Sequence, residues 1–135
     1  LGNAAMLDFL RTRAPRAQVT MSVCSGSAIL AKAGLLDGRR ATSNKMFFEL
    51  ATAQSDEVDW IEKARWVEDG PFVTSSGVSA GTDMALSVIE KLWGAELAQI
   101  VSDMTEYERQ TDPARDPFTK FLNQGAAHYA KLGAG

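Results

Sequence analysis

Between Val19 and Ala31 the chain switches abruptly from one periodicity to another, and that switch constrains the fold more than any other feature. Val19-Thr20-Met21-Ser22-Val23 is apolar and β-branched enough for a buried strand, Ser27-Ala28-Ile29-Leu30-Ala31 favours a helix, and Cys24-Ser25-Gly26 joins them. The only cysteine in the chain therefore stands where a strand ends and a helix begins. A side chain at such a junction projects from a tight bend beside the unpaired N–H groups of the helix's first turn, as in a nucleophile elbow. Partial positive charge collects there and favours a thiolate, the form of sulfur that nucleophilic catalysis requires.

The remaining elements follow from pattern and punctuation. Asn3 can cap a helix carrying Met6, Leu7, Phe9 and Leu10, which should stop before Ala14-Pro15 because a residue preceding proline leaves the α region. The helix after Cys24 spans Ser25 to Ala33 and is stopped by Gly34; Arg39 to Thr42 forms a short strand. A helix from Lys45 to Ala53 has Ser43 or Asn44 available as its cap. Ala64 to Glu68 and Phe72 to Ser75 flank Asp69-Gly70 as a hairpin, while Trp60 to Val67 as a whole is ambiguous. The small, polar run Ser76 to Asp83 reads as a loop before a helix from Met84 to Trp93, broken at Gly94 and resumed from Ala95 to Met104. After turns at Asp112-Pro113 and Asp116-Pro117, Phe118 to Leu132 reads as a closing amphipathic helix with a frayed Gly-Ala-Gly end. Strands alternating with helices predict a single α/β domain over residues 1–135, its mainly parallel sheet carrying one antiparallel hairpin.

A net charge of −3 argues against nucleic acid as a partner, since phosphate binding needs a basic surface. A lone cysteine builds no internal disulfide, no Cys/His cluster suggests a metal, and no apolar run is long enough to cross a membrane. The expectation is a cytoplasmic protein with no cofactor and no membrane partner. The chain opens on Leu1-Gly2-Asn3, without an initiator methionine and almost directly in a helical pattern; the expectation is that its N-terminus has been removed or that it is part of a longer protein.

Val23-Cys24-Ser25-Gly26-Ser27, continuing to Ala33-Gly34-Leu35-Leu36-Asp37-Gly38-Arg39-Arg40-Ala41-Thr42, resembles the PfpI/ThiJ superfamily. A second matching block runs from Thr74 to Leu86, and Glu106-Tyr107 is a weaker third. Among the branches of that superfamily the chain looks most like the isonitrile hydratases. The resemblance implies a class I glutamine-amidotransferase-like fold, a flavodoxin-like three-layer sandwich, of which this chain corresponds to about the C-terminal two thirds. It also implies a homodimer. The missing front would hold the first strands and an acidic partner of the cysteine, so a further N-terminal segment or a second chain is expected to complete the fold.

Cys24 is the candidate nucleophile, although a lone cysteine is commonly an inert buried hydrophobe. Ser25 and Gly26 follow it with N–H groups placed to stabilise an anion, or, for Gly26, simply with the small size that a tight turn needs. Peptidase-like members of the superfamily carry histidine directly after the cysteine and the hydratase branch carries threonine. Ser25 keeps the hydroxyl and moves the reading away from a Cys-His protease. Asn44, where relatives often place histidine, reads first as a cap and second as a pocket residue. His128, the only histidine, reads as a tail residue rather than a base. Val78 and Ser79, after a strand and before a helix, belong to a candidate rim of the site. That glycine-containing run lacks the pattern of a phosphate loop. Asp83 reads as a helix N-terminal carboxylate, and Trp60, Trp66 and Trp93 as core or interface anchors.

The resemblance then implies a cysteine-dependent hydratase that converts small isonitriles to N-substituted formamides. The alternatives are a ligand- or oxidant-sensing domain without catalysis and, further off, a cysteine amidase or carbonyl-damage hydrolase.

Overall fold

The computed structural model describes residues 1–133. Helix α1 (Ala4–Arg13) starts where Asn3 Oδ1 accepts the Met6 N–H at 3.0 Å, and it gives way to a 3-10 turn, Ala14–Arg16, at the proline. Strand β1 (Thr20–Ser22) leads through the cysteine into α2 (Gly26–Lys32), and Gly34 at φ 81° terminates that helix in the left-handed region. Strand β2 (Arg40–Ala41), helix α3 (Phe48–Thr52) and strand β3 (Asp59–Trp60) follow. Strands β4 (Trp66–Asp69) and β5 (Phe72–Ser75) form the expected hairpin, with Gly70 at φ 59° in its turn. Helices α4 (Val78–Trp93), α5 (Ala95–Met104) and α6 (Gly125–Gly133) complete the chain, with a 3-10 turn at Thr119–Phe121.

The main sheet has the order β1-β5-β4, β1 parallel to β5 and β4 antiparallel to it; β2 and β3 pair in parallel beside it. Alternation along β5 explains the layering, because successive side chains of a strand point to opposite faces. Phe72 joins a core with Ala14, Leu30, Ala31, Leu36, Ala41 and Val58. Val73 joins a second core with Trp66, Met84 and Val88. Helices α1, α2 and α3 thus lie on one side of the sheet and α4 on the other, and α5 packs on α4. This is the expected three-layer α/β sandwich. Among the described residues β1 pairs with β5 alone, and Met21 and Val23 are about half exposed.

Three expectations need correction. The run from Ser76 to Asp83 is a loop only as far as Gly77: α4 begins at Val78, six residues before the expected Met84. Gly81 explains why small residues serve there, since a Cβ at that position would stand 2.7 Å from Val23 Cγ1. The helix expected from Lys45 shrinks to Phe48–Thr52, and Asn44 Oδ1 caps the turn before it by accepting the Phe47 N–H at 3.0 Å. The closing helix expected from Phe118 breaks into the 3-10 turn and α6, separated by Asn123 at φ 58°. Of the Gly-Ala-Gly end, Ala134 and Gly135 lie outside the described residues.

The contact between Gly81 and Val23 is testable. Gly81→Ala should destabilise the protein by about 1–3 kcal/mol in urea unfolding through overpacking. Adding Val23→Ala should recover part of that loss, whereas strictly additive effects would show that the two residues do not press on one another.

Candidate active site

Cys24 adopts φ 59°, one of three non-glycine residues with positive φ among those described. The left-handed conformation costs an L-residue about 1–2 kcal/mol, so it persists only where the surroundings hold it. They do so from several directions. The Gly26 N–H donates to Val23 O at 3.0 Å and closes the bend, Ser43 Oγ donates to Cys24 O at 3.1 Å, and Ser75 Oγ donates to Ser22 O at 3.0 Å. Cys24 is a partly exposed free thiol. Ser25, at φ −78° and ψ 0°, precedes the first residue of α2. The Gly26 N–H is thus engaged within the elbow, and the Ser25 N–H donates to no backbone carbonyl among the described residues. The buried hydroxyls of Ser22 and Ser27, on either side of the bend, have no hydrogen-bond partner among those residues.

A cavity of about 480 Å³, a volume ordinary for a small-molecule site, opens between the segment after Ser43 and the start of α4. Asn44, Val78 and Ser79 line it, together with Met46, Phe118 and Phe121. Cys24, Ser25 and Gly26 are not on its wall; Ser43, bonded to Cys24 O, is the neighbour of Asn44.

Two buried ion pairs flank the cavity, and sequence reasoning missed both. Lys45 is almost wholly buried and donates to Thr42 Oγ1 at 2.8 Å, Ala64 O at 2.9 Å and Ser43 O at 3.1 Å, with Asp116 Oδ2 at 3.3 Å. Asp116 in turn accepts the Phe118 N–H at 2.8 Å and the Thr119 hydroxyl at 2.9 Å. Arg65 reaches Asp83 Oδ2 from Nε and Nη2, each at 2.7 Å, while Asp83 Oδ1 accepts the Gln110 N–H at 2.8 Å. Asp83 is therefore a fully buried anchor inside α4 rather than the expected N-terminal carboxylate. Tyr107 donates to Ser79 O at 3.3 Å; burial, and then the Asp83 carboxylate, push its phenol above the usual value. His128 packs edge-on against Phe121 with Nδ1 2.9 Å from Gln124 O. Among the described residues no three metal-binding side chains converge. Trp66 is core, whereas Trp93 is largely exposed.

Comparison with known proteins fits this geometry. The model of the DJ-1/PfpI family matches residues 2–91. The chain belongs to the DJ-1/PfpI family. It is 41% identical over 102 residues to the isonitrile hydratase of Pseudomonas putida, covering 75% of this chain and 43% of that protein. It is 36% identical to the HTH-type transcriptional regulator CdhR of Pseudomonas aeruginosa, covering 73% of this chain and 29% of the regulator. The chain thus spans less than half the length of these relatives. A crystal structure of a ThiJ/PfpI family protein from Pseudomonas syringae superposes with a TM-score of 0.70 at 33% identity, covering 98% of this chain and 52% of that one. The family contains an enzyme and regulators, so membership alone leaves the chemistry to the site.

The Lys45–Asp116 pair makes a sharp prediction. Lys45→Met removes the donor from Thr42 Oγ1, Ser43 O and Ala64 O, which a neutral lysine would still serve, and leaves Asp116 unpaired; it should cost about 3–5 kcal/mol in urea unfolding, part of it restored by adding Asp116→Asn. Burial holds the Lys45 ammonium below its ordinary 10.5, against the opposing pull of Asp116. The unfolded chain then keeps this proton to higher pH than the folded one, so the site's cost to stability fades as pH rises toward 10.5. Wild type should gain on the double variant over that alkaline window; a gap independent of pH would contradict the assignment.

Proposed function

We propose that this domain is the cysteine-bearing part of an isonitrile hydratase-like enzyme, with the left-handed Cys24 at a strand–helix bend as the observation that carries the reading. Cys24 Sγ, as thiolate, adds to the terminal carbon of R–N≡C. A proton arrives at that carbon and gives a thioimidate, Cys24–S–CH=N–R. Water adds to the same carbon, the C–S bond breaks with its electron pair returning to sulfur, and R–NH–CHO leaves. The Ser25 N–H and hydroxyl steady the nitrogen on which charge develops. Asn44, Val78 and Ser79 hold the substituent R in the cavity; Gly26 shapes the bend.

Neither buried carboxylate is free to supply the proton, since Asp83 is engaged by Arg65 and Asp116 by Lys45. We assign the acid to a segment outside these residues that lies along the open edge of β1. The exposed Met21 and Val23 and the unpartnered Ser22 hydroxyl support that placement. A cytoplasmic homodimer is part of the same proposal. No helix among the described residues is long and apolar enough to cross a membrane.

The kinship to a transcriptional regulator supports a second reading, a sensor that binds its ligand at the same bend without turnover. Formamide release from cyclohexyl isocyanide by the native-length protein separates the two. The hydratase reading expects turnover, its loss by roughly 10³-fold or more in Cys24→Ala, and a fall of roughly 10²-fold in Ser25→Gly. Equal turnover by Cys24→Ala, or none by wild type, would sink it.

A further inference from the structure

The C-terminal segment supplies part of the cavity wall. The family model ends at residue 91, yet Asp116, Phe118 and Phe121 all line the cavity. The segment is clasped at both ends, to Arg65 and Lys45 at its start and to residues 45–49 further on. At its start the Arg65 N–H donates to Pro113 O at 2.6 Å, and Asp116 is held by the buried Lys45. Further on, the Asn123 N–H donates to Lys45 O at 2.8 Å, Asn123 Oδ1 accepts the Glu49 N–H at 2.8 Å, and the Gly125 N–H donates to Met46 O at 3.0 Å. Between these clasps the rings of Phe118 and Phe121 are 6.5 Å apart with their planes inclined by 29°, and His128 packs edge-on against Phe121.

The charges on the cavity wall cancel, because Lys45 and Arg65 each face a buried carboxylate. An ionic ligand would find no uncompensated partner there and would lose its hydration. What remains is an aromatic face together with Met46, Val78 and Ala80, with Asn44, Ser76 and Ser79 as the uncharged polar side chains of the lining. Such a lining takes an uncharged molecule with a broad apolar body and one polar end.

We propose that this strap selects the substrate: Phe118 and Phe121 are specificity-determining residues that favour isonitriles with a cyclic or aromatic substituent over those with a small alkyl group. The inference rests on the hydratase reading for the identity of the reacting group, but the wall itself is tested without turnover. N-cyclohexylformamide, N-benzylformamide and N-methylformamide are titrated by ligand-observed NMR into the native-length Cys24→Ala protein, alone and with Phe118→Ala, Phe121→Ala or Phe121→Leu added. The two cyclic formamides should bind more tightly than the methyl compound. Each alanine change should weaken them about tenfold, and Phe121→Leu less, with the methyl compound barely affected. Phe118 is 53% exposed, so its truncation leaves the fold in place even if Phe121→Ala does not. No binding of the cyclic compounds, no effect of Phe118→Ala, or an equal loss for all three formamides would overturn the proposal. If the size-selective loss appears while wild type shows no hydratase turnover, the strap stands and the reaction falls. If turnover is present and its substrate profile ignores both phenylalanines, the strap falls alone.

Discussion

A cysteine in the left-handed region at the end of a parallel strand has to be held there, and the rest of the fold is arranged to hold it. The Gly26 N–H closes the bend on Val23 O, the Ser43 hydroxyl takes Cys24 O, and Ser75 ties the end of β1 to β5. On the far side Val23 presses into the gap left by Gly81 in the first turns of α4. Strand, following helix, neighbouring loop and opposite helix therefore meet around Ser22–Gly26. Each contact is worth about 1 kcal/mol, comparable with the conformational cost at Cys24, so it takes several together to make one geometry dominate.

The two buried ion pairs play a different part. Buried pairs are weak sources of net stability, because desolvation consumes much of the Coulombic gain, but a buried charge without its partner is heavily penalised. Lys45 and Asp116 are far apart in sequence, and the penalty for separating them fixes where the C-terminal segment crosses the cavity. Arg65 and Asp83 do the same for α4 relative to the strand hairpin, with Gln110 drawn onto the same carboxylate. Together they set the walls of the cavity while cancelling its charge.

The elbow was legible because its signal is local: β-branched residues give way to helix formers across a small-residue junction. The hairpin was legible for the same reason, since Asp69-Gly70 names its own turn. The start of α4 was not, because Val78-Ser79-Ala80-Gly81-Thr82 has the composition of a loop, and its packing, with Gly81 against Val23 and Ala80 buried, is not visible locally. Strand β3 has two residues, too few for a period, and exists through its pairing with Arg40 and Ala41. Nothing local marks Lys45 as the buried lysine or Asp116 as its partner. Asp116-Pro117 reads as a turn, which it is, and its Asx-type bonds to Phe118 and Thr119 give no hint of a cation on the other side. Nor could Asn44, Val78 and Ser79 be joined to Phe118 and Phe121 without the strap that brings them round one cavity.

The fold thus delivers a strained, partly exposed cysteine whose carbonyl is tied through Ser43 to the segment that begins the wall of a charge-compensated, largely apolar cavity, a combination that suits an uncharged electrophile. The central claim is that Cys24 bonds to the isonitrile carbon. Acid-quenched mass spectrometry of the native-length protein during turnover of cyclohexyl isocyanide tests it directly. The predicted result is a species heavier by one isonitrile molecule, with the added mass mapped to the peptide containing Cys24. Formamide accumulating while Cys24 stays unmodified at every quench time, with the added mass absent or on another residue, would contradict it.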